Sequence, residues 1–177
     1  GSKTSLRYVY LFVLFTFIPS FLIALFSLFV FNYGLQNFFN NQIIKAVNNS
    51  YDIAKNYVAQ NKKIVKADVF LMSVGLNRNS NLFYFSPDKF KSIARSEKLL
   101  RRIDDIFLID SSANIIFSDT DSATNFPEPS EQEINKALEG VPVLITNNNE
   151  KKTSAMIKLN NLIDTYLFIS KNVDSEI

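Results

Sequence analysis

YVYLFVLFTFIPSFLIALFSLFVF, residues 8–31, contains no charged side chain, and the nearest charges on either side are Arg7 and Lys45. Only Thr16, Pro19, Ser20 and Ser27 interrupt a run of Phe, Leu, Val, Ile, Ala and Tyr. A helix of about 24 residues at roughly 1.5 Å per residue is about 36 Å long, which crosses a bilayer with some tilt. A secretory signal has a shorter apolar region of roughly 7 to 15 residues and a small-x-small cleavage site. This run is longer and leads into Asn32-Tyr33-Gly34-Leu35. A core helix of a soluble domain fits no better, because the run is apolar all round and too long for a domain of this size to wrap. Pro19 is tolerable mid-span, where Thr16 and neighbouring helices can re-satisfy the freed backbone groups.

Flanking charge sets the orientation. Lys3 and Arg7 precede the span while residues 35–44 carry no charge, so the positive-inside rule places the N-terminus in the cytoplasm and everything after Tyr33 outside it. Tyr8 and Tyr10 at one end and Tyr33, Phe38 and Phe39 at the other suit the two aromatic belts. The expected localisation is the inner (cytoplasmic) membrane, with membrane lipid around the span and the remaining chain periplasmic. The expected division is a cytoplasmic flank over 1–7, a transmembrane helix over 8–33, a stalk helix over 34–63 and a sensor domain over 64–177.

Composition narrows the chemistry. The 177 residues include no Cys and no His, which removes the commonest general base, the commonest metal ligand and the phospho-acceptor of two-component kinases. The absence of Cys fits an oxidising compartment and equally fits the cytosol. A net charge of +2 with both signs interspersed gives no stripe for nucleic acid.

Residues 35–62 form a second helical segment. Phe39, Ile43, Ala46, Ser50, Ile53, Tyr57, Gln60 and Ile64 recur at alternating spacings of four and three, a heptad-like seam widened by Val47, Ala54 and Val58. One side can pack on its own domain and the other on a second copy in a parallel homodimer, although Ser50 and Gln60 weaken the seam. A further helical piece, 64–77, carries Val65, Val69, Met72 and Leu76 and dissolves at Arg78-Asn79-Ser80-Asn81. Ser86-Pro87-Asp88 then starts another helix, with Ser86 as N-cap. Ser86 and Lys89 also match the S-x-x-K pattern of acyl-serine enzymes, but no S-D-N or K-T-G follows and capping is the better account.

Beyond Arg102 the period changes to that of strands. Residues 106–109 and 115–117 flank the turn Ser111-Ser112-Ala113-Asn114 as a hairpin, and an irregular loop covers 119–129. Ser130-Glu131-Gln132-Glu133 makes a capping box for a short helix stopped by Gly140. Strands follow at 143–146, 153–159 and 166–171, separated by Asn147-Asn148-Asn149-Glu150 and Asn160-Asn161. Segregated helices and strands imply an α+β fold with an antiparallel five-stranded sheet.

That order resembles PAS-like and Cache sensor domains, in which a long N-terminal helix rises from the membrane. More specific words come from Leu6-Arg7-Tyr8, Ile18-Pro19-Ser20, the exit from Phe31 through Gly34 to Phe39, Ala46-Val47-Asn48-Asn49-Ser50 and Ala54-Lys55-Asn56-Tyr57. With Ala67-Asp68, Leu76-Asn77-Arg78 and Asp164-Thr165-Tyr166-Leu167-Phe168-Ile169, they resemble the N-terminal sensor region of NtrY-type nitrogen-regulation histidine kinases. The resemblance implies a parent kinase that uses ATP and Mg to phosphorylate a cytoplasmic His and hands the phosphoryl group to an NtrX-type response regulator. The second flanking span, HAMP linker, phospho-acceptor His and ATP-binding glycines of that family are absent from these residues, so the chain is expected to be the non-enzymatic input half. A chemoreceptor or cyclase with the same outer module is one alternative. An anchored extracytoplasmic hydrolase is another, disfavoured by the lack of any nucleophile-plus-base spacing.

Candidate sites are few. A small-molecule pocket in the resembled folds lies between sheet and helices, here bordered by Phe107, Ile109, Phe117, Ser118, Met156 and Tyr166, residues that also suit a plain core. Asp110, Asp119 and Asp121 are weak candidates for Ca²⁺ or Mg²⁺, lacking EF-hand spacing and equally suited to turn capping. Lys98, Arg101 and Arg102 read as a solvated helix end that complements the macrodipole.

Overall fold

The structure, a computed structural model, describes residues 1–120, 126–146 and 151–173. Contacts divide the chain into two units, Gly1–Ile53 and Ala54–Ile177.

The first unit is helical. Helix α1 (Ser2–Phe29) includes Pro19 and buries no residue; a π-helical turn (Val30–Leu35) follows, and α2 (Gln36–Arg78) continues directly from it. The run Ser2–Arg78 contains one helix long and apolar enough to cross a membrane. Thr16 does not serve the carbonyl that Pro19 leaves free: its hydroxyl donates to Phe12 O at 2.6 Å, and Ser20 donates to Thr16 O at 2.9 Å. Both are i−4 bonds, the partner nearest to a helical Ser or Thr hydroxyl. The π turn is unforeseen from the apolar pattern. It falls on Asn32-Tyr33-Gly34, where weak helix formers give the α-helix its least intrinsic support.

In the second unit the sheet order is β2-β1-β5-β4-β3, antiparallel throughout. The strands are β1 (Asp105–Ile109), β2 (Ile115–Thr120), β3 (Val143–Ile145), β4 (Lys152–Lys158) and β5 (Tyr166–Asn172). The chain is therefore α+β with a five-stranded antiparallel sheet, as its pattern implies. One face carries Ile106, Leu108, Ala155, Ile157, Leu167 and Ile169 against Val65, Val69, Met72 and Leu76 of α2 and Phe90 and Ala94 of α4 (Pro87–Leu100). Each large side chain so buried contributes about 1.5–3 kcal/mol. Gly75 admits the close approach of α4, since a Cβ there would sit 3.2 Å from Glu97 Oε1.

Three local expectations are corrected. The pieces 35–62 and 64–77 are one helix, because Lys62-Lys63 between them are good helix formers and nothing breaks the ladder. The segment after Arg78 does not dissolve: only Asn79 leaves the helical region, and α3 (Ser80–Phe85) follows at once. Ser86 caps α4 through its carbonyl, which accepts from Lys89 N and Phe90 N, and its side chain makes no cap bond. The capping box of α5 (Glu131–Ala137) stands as expected, with Gly140 beyond it at φ +77°. The turn 147–150 lies outside the described residues.

Candidate functional site

Cross-strand partners share a face, so register sorts the candidates. Ser118, Phe107, Phe168, Met156 and Val143 form one row across all five strands, and Asp105, Ser170, Ser154 and Ile145 form the next. Phe107, Ile109, Met156 and Tyr166 pack in one cluster with Phe168 and with Ile134 and Ala137 of α5. The structure thus brings four of the six expected lining residues together under α5. Ser118 stands at the exposed edge of the same row. Phe117 does not belong with them: it pairs with Leu108 and packs on the opposite, α2 face. Adjacent strand residues point to opposite faces, so Phe117 and Ser118 cannot line one pocket.

The α5 helix is fastened over this face by Glu133. Its Oε1 accepts from Thr146 N at 2.8 Å, at the end of β3, while its Oε2 accepts from Ser130 N and Oγ at 2.8 Å each. Burial pushes the Glu133 carboxyl up, but the bonds from Thr146 and Ser130 outweigh it and leave the pKa lowered. Beneath α5, Phe107, Phe126 and Phe168 make an aromatic trio with centroid separations of 4.7, 5.9 and 5.1 Å.

Next to the trio runs a polar row. Asp105 is 2% exposed and its Oδ2 accepts from Lys152 Nζ at 2.5 Å, while its buried Oδ1 has no partner. The hydroxyls of Ser154 and Ser170, both buried, bond each other at 2.7 Å. The carboxylate, the hydroxyl pair and the aromatic rings Phe107 and Phe168 are all buried together on this face of the sheet.

Tyr166 closes the other end of the face. Lys158 Nζ lies 5.3 Å from its ring centroid and donates to the carbonyls of Leu159, Leu162 and Thr165 at 3.2, 3.0 and 3.3 Å, clamping the β4–β5 turn. Burial lowers the Lys158 pKa, opposed by Asp164; burial first and Asp164 second raise that of Tyr166.

The acidic candidates are not brought together. Asp110 holds the β1–β2 turn by accepting from Ser112 N, Asn114 N and Asn114 Nδ2, and the bonds from Asn114 lower its pKa. Asp119 instead pairs with Arg95 at 3.1 Å and Lys98 at 3.6 Å. Asp121 lies outside the described residues, and among the described residues no three His, Cys, Asp or Glu side chains group to hold a metal. Lys98 is correspondingly not a solvated end: it is buried and joins α4 to β2. Arg101 pairs with Glu97 at 2.7 Å, and its carbonyl accepts from Lys171, which also bonds Asp68 of α2.

Phe168, Ser154 and Ser170 are the site residues that sequence reasoning passed over. Strand parity identifies them, since Phe168 and Ser170 follow Tyr166 at two-residue steps along β5 and Ser154 lies two residues before Met156 in β4. Phe126 and the Asp105–Lys152 pair carry no such signal, because a loop residue and a long-range ion pair are fixed only by the assembled sheet.

A family model described as the NtrY N-terminal region matches residues 2–177. The chain is 27% identical over 182 residues to a sensor histidine kinase described as NtrY-like from Rickettsia felis, covering 100% of this chain and 30% of that protein. It is 22% identical over 178 residues to the nitrogen regulation protein NtrY of Azorhizobium caulinodans, covering 100% of this chain and 23% of that protein. The NtrY-like kinase of Rickettsia bellii is 24% identical over 181 residues, 99% of this chain and 29% of that protein. The chain thus spans less than a third of these relatives. No solved structure matches it.

Proposed function

The chain belongs to the family of NtrY N-terminal regions, and we propose that it is the membrane-anchored signal-input module of a two-component sensor histidine kinase. In this reading 1–7 is cytoplasmic, 8–33 spans the inner membrane, 34–63 is a stalk and 64–177 is a PAS/Cache-like periplasmic domain. A ligand engages the face of the sheet under α5, where the aromatic trio and the unpartnered Asp105 oxygen support it. The stalk pairs with a second copy in a parallel homodimer, and the parent, loaded with ATP and Mg, passes phosphoryl groups to an NtrX-type response regulator. Catalysis lies outside these residues.

The observation that carries the proposal is continuity. The charge-free segment 8–31 belongs to one helical run, Ser2–Arg78, whose last turns supply Val65, Val69, Met72 and Leu76 to the core of the sheet domain. In this reading a rearrangement of the sheet is relayed along that run to the span, which needs only two states a few kcal/mol apart.

Topology reporters test the orientation. Alkaline phosphatase fused after residue 173 is expected to be active and a fluorescent protein at the same site dark. The reverse pattern would place the sheet domain in the cytosol and sink the proposal.

A further inference from the structure

Polar contacts fasten α2 to the rest of the second unit near Asp68 and again near Asn77, and the two fastenings are built differently. At the first, Lys171 Nζ of β5 donates to Asp68 Oδ2 at 3.2 Å and to the Arg101 carbonyl, at the end of α4, at 2.9 Å. At the second, Asn161 of the β4–β5 turn donates its N to Asn77 Oδ1 at 3.1 Å and its Nδ2 to the Asn77 carbonyl at 3.0 Å. Nine residues separate Asp68 from Asn77, a rise of about 14 Å. Between them Val69, Met72 and Leu76 pack on the sheet.

The Asn77 contact is reciprocal, with backbone and side chain of both residues engaged, so moving α2 there breaks two bonds at once. The Asp68 contact hangs on one flexible ammonium. Lys171 reaches it from a strand that serves both faces of the sheet: Leu167 and Ile169 pack on the α2 side, Tyr166 and Phe168 under α5. A displacement of β5 felt at Phe168 therefore carries Lys171 with it. The separation of 3.2 Å stands at the outer edge of good hydrogen-bond geometry, and a further ~0.5 Å leaves no bond.

We propose that Lys171 is a positioning residue, the latch by which β5 holds the Asp68 turn of α2, and that α2 pivots on its Asn77–Asn161 pin when the latch opens. Opening leaves the Asp68 carboxylate, whose side chain is only 16% exposed, without its cation, and its solvation draws that turn outward. Met72 and Leu76, nearer the pin, keep their seat. The use of the latch rests on the sensor reading above: occupancy of the α5 face displaces β5 and frees α2. The latch itself lies wholly within the second unit.

Distances between paired spin labels test this in the full chain in membranes, on a background free of native Cys. Labelled chains are diluted with unlabelled ones, so that only pairs within one chain are read. Lys66→Cys with Leu100→Cys spans the latch and Arg78→Cys with Asn160→Cys spans the pin, all four at exposed positions. In Lys171→Met and in Asp68→Asn the latch pair is expected to broaden and shift to longer distance, while the pin pair keeps the wild-type distribution. Lys171→Arg retains a donor for both acceptors and is expected to keep the latch pair at wild type. Should Lys171→Met fail to fold, Asp68→Asn, which preserves side-chain shape, decides alone. An unchanged latch pair would overturn the proposal by showing that the apolar contacts alone seat α2. Equal broadening of both pairs would overturn it as well, reducing Lys171 to a contributor to overall stability. Neither result depends on which side of the membrane the sheet domain occupies, so the latch and the topology proposed above fail separately.

Discussion

The two ends of α2 have the same apolar periodicity and opposite fates. Val65, Val69, Met72 and Leu76 are at most 2% exposed against the sheet, whereas Phe38, Ile43 and Val47, a few turns earlier, are about 60% exposed. The earlier turns are exposed among the described residues, and the later ones pack on a five-stranded sheet. Periodicity therefore reports that a face is apolar and is silent about what covers it. For Ile43 and its neighbours the pattern alone names no partner.

The sharpest way to break this contrast is to make one truncation in both regions. Phe168→Ala removes a fully buried ring from the aromatic trio and is expected to cost about 3–5 kcal/mol in urea unfolding of the full chain in detergent. Phe39→Ala, the same chemical change on the exposed seam, should stay within about 0.5 kcal/mol of wild type in that assay. A large loss in Phe39→Ala under monomeric conditions would mean that the seam packs within its own chain.

A second contrast is between buried charge and buried hydrocarbon inside the sheet domain. Asp105→Ala leaves Lys152 partly buried without its carboxylate and should cost about 3–5 kcal/mol, chiefly from the stranded ammonium. The double variant Asp105→Asn, Lys152→Met removes both charges and should recover most of that loss. If it instead unfolds with the summed cost of its single variants, the two groups are not coupled and the polar row is not a unit.

How much was legible follows from the range of each signal. The helix through the apolar run 8–31, the capping box at Ser130 and Glu133, the Asp110 turn and all five strands depend on neighbours within a few residues, and each stands in the structure close to where its residues imply. Strand parity would have exchanged Phe117 for Phe168 in the candidate site before any coordinates. The Asp105–Lys152 pair joins residues 47 apart, and no periodicity encodes that meeting. The π turn escaped for a different reason: Asn32, Tyr33 and Gly34 signal weaker helical support, but a change of phase within an unbroken helix has no signature in periodicity.

The smallest expected effect concerns how α5 is held over the site rather than how the sheet is built. Glu133 has a lowered pKa in the folded chain because its bonds from Thr146 and Ser130 favour the carboxylate over the acid. A lowered carboxyl pKa means that the unfolded chain binds the proton more readily, so stability rises with pH through this window. The stabilisation is complete above the ordinary carboxyl value near 4.5 and fades as pH falls through the folded pKa beneath it. Asp110 shifts in the same direction and adds its own acid sensitivity. Glu133→Gln should therefore unfold on the order of 1 kcal/mol more easily at pH 7, the size of a lost helix cap, and lose part of the wild-type decline below pH 4.5. If the variant and wild type decline in parallel over that range, the Thr146–Glu133 clamp carries no charge-dependent energy, and α5 rests on Ile134 and Ala137 alone.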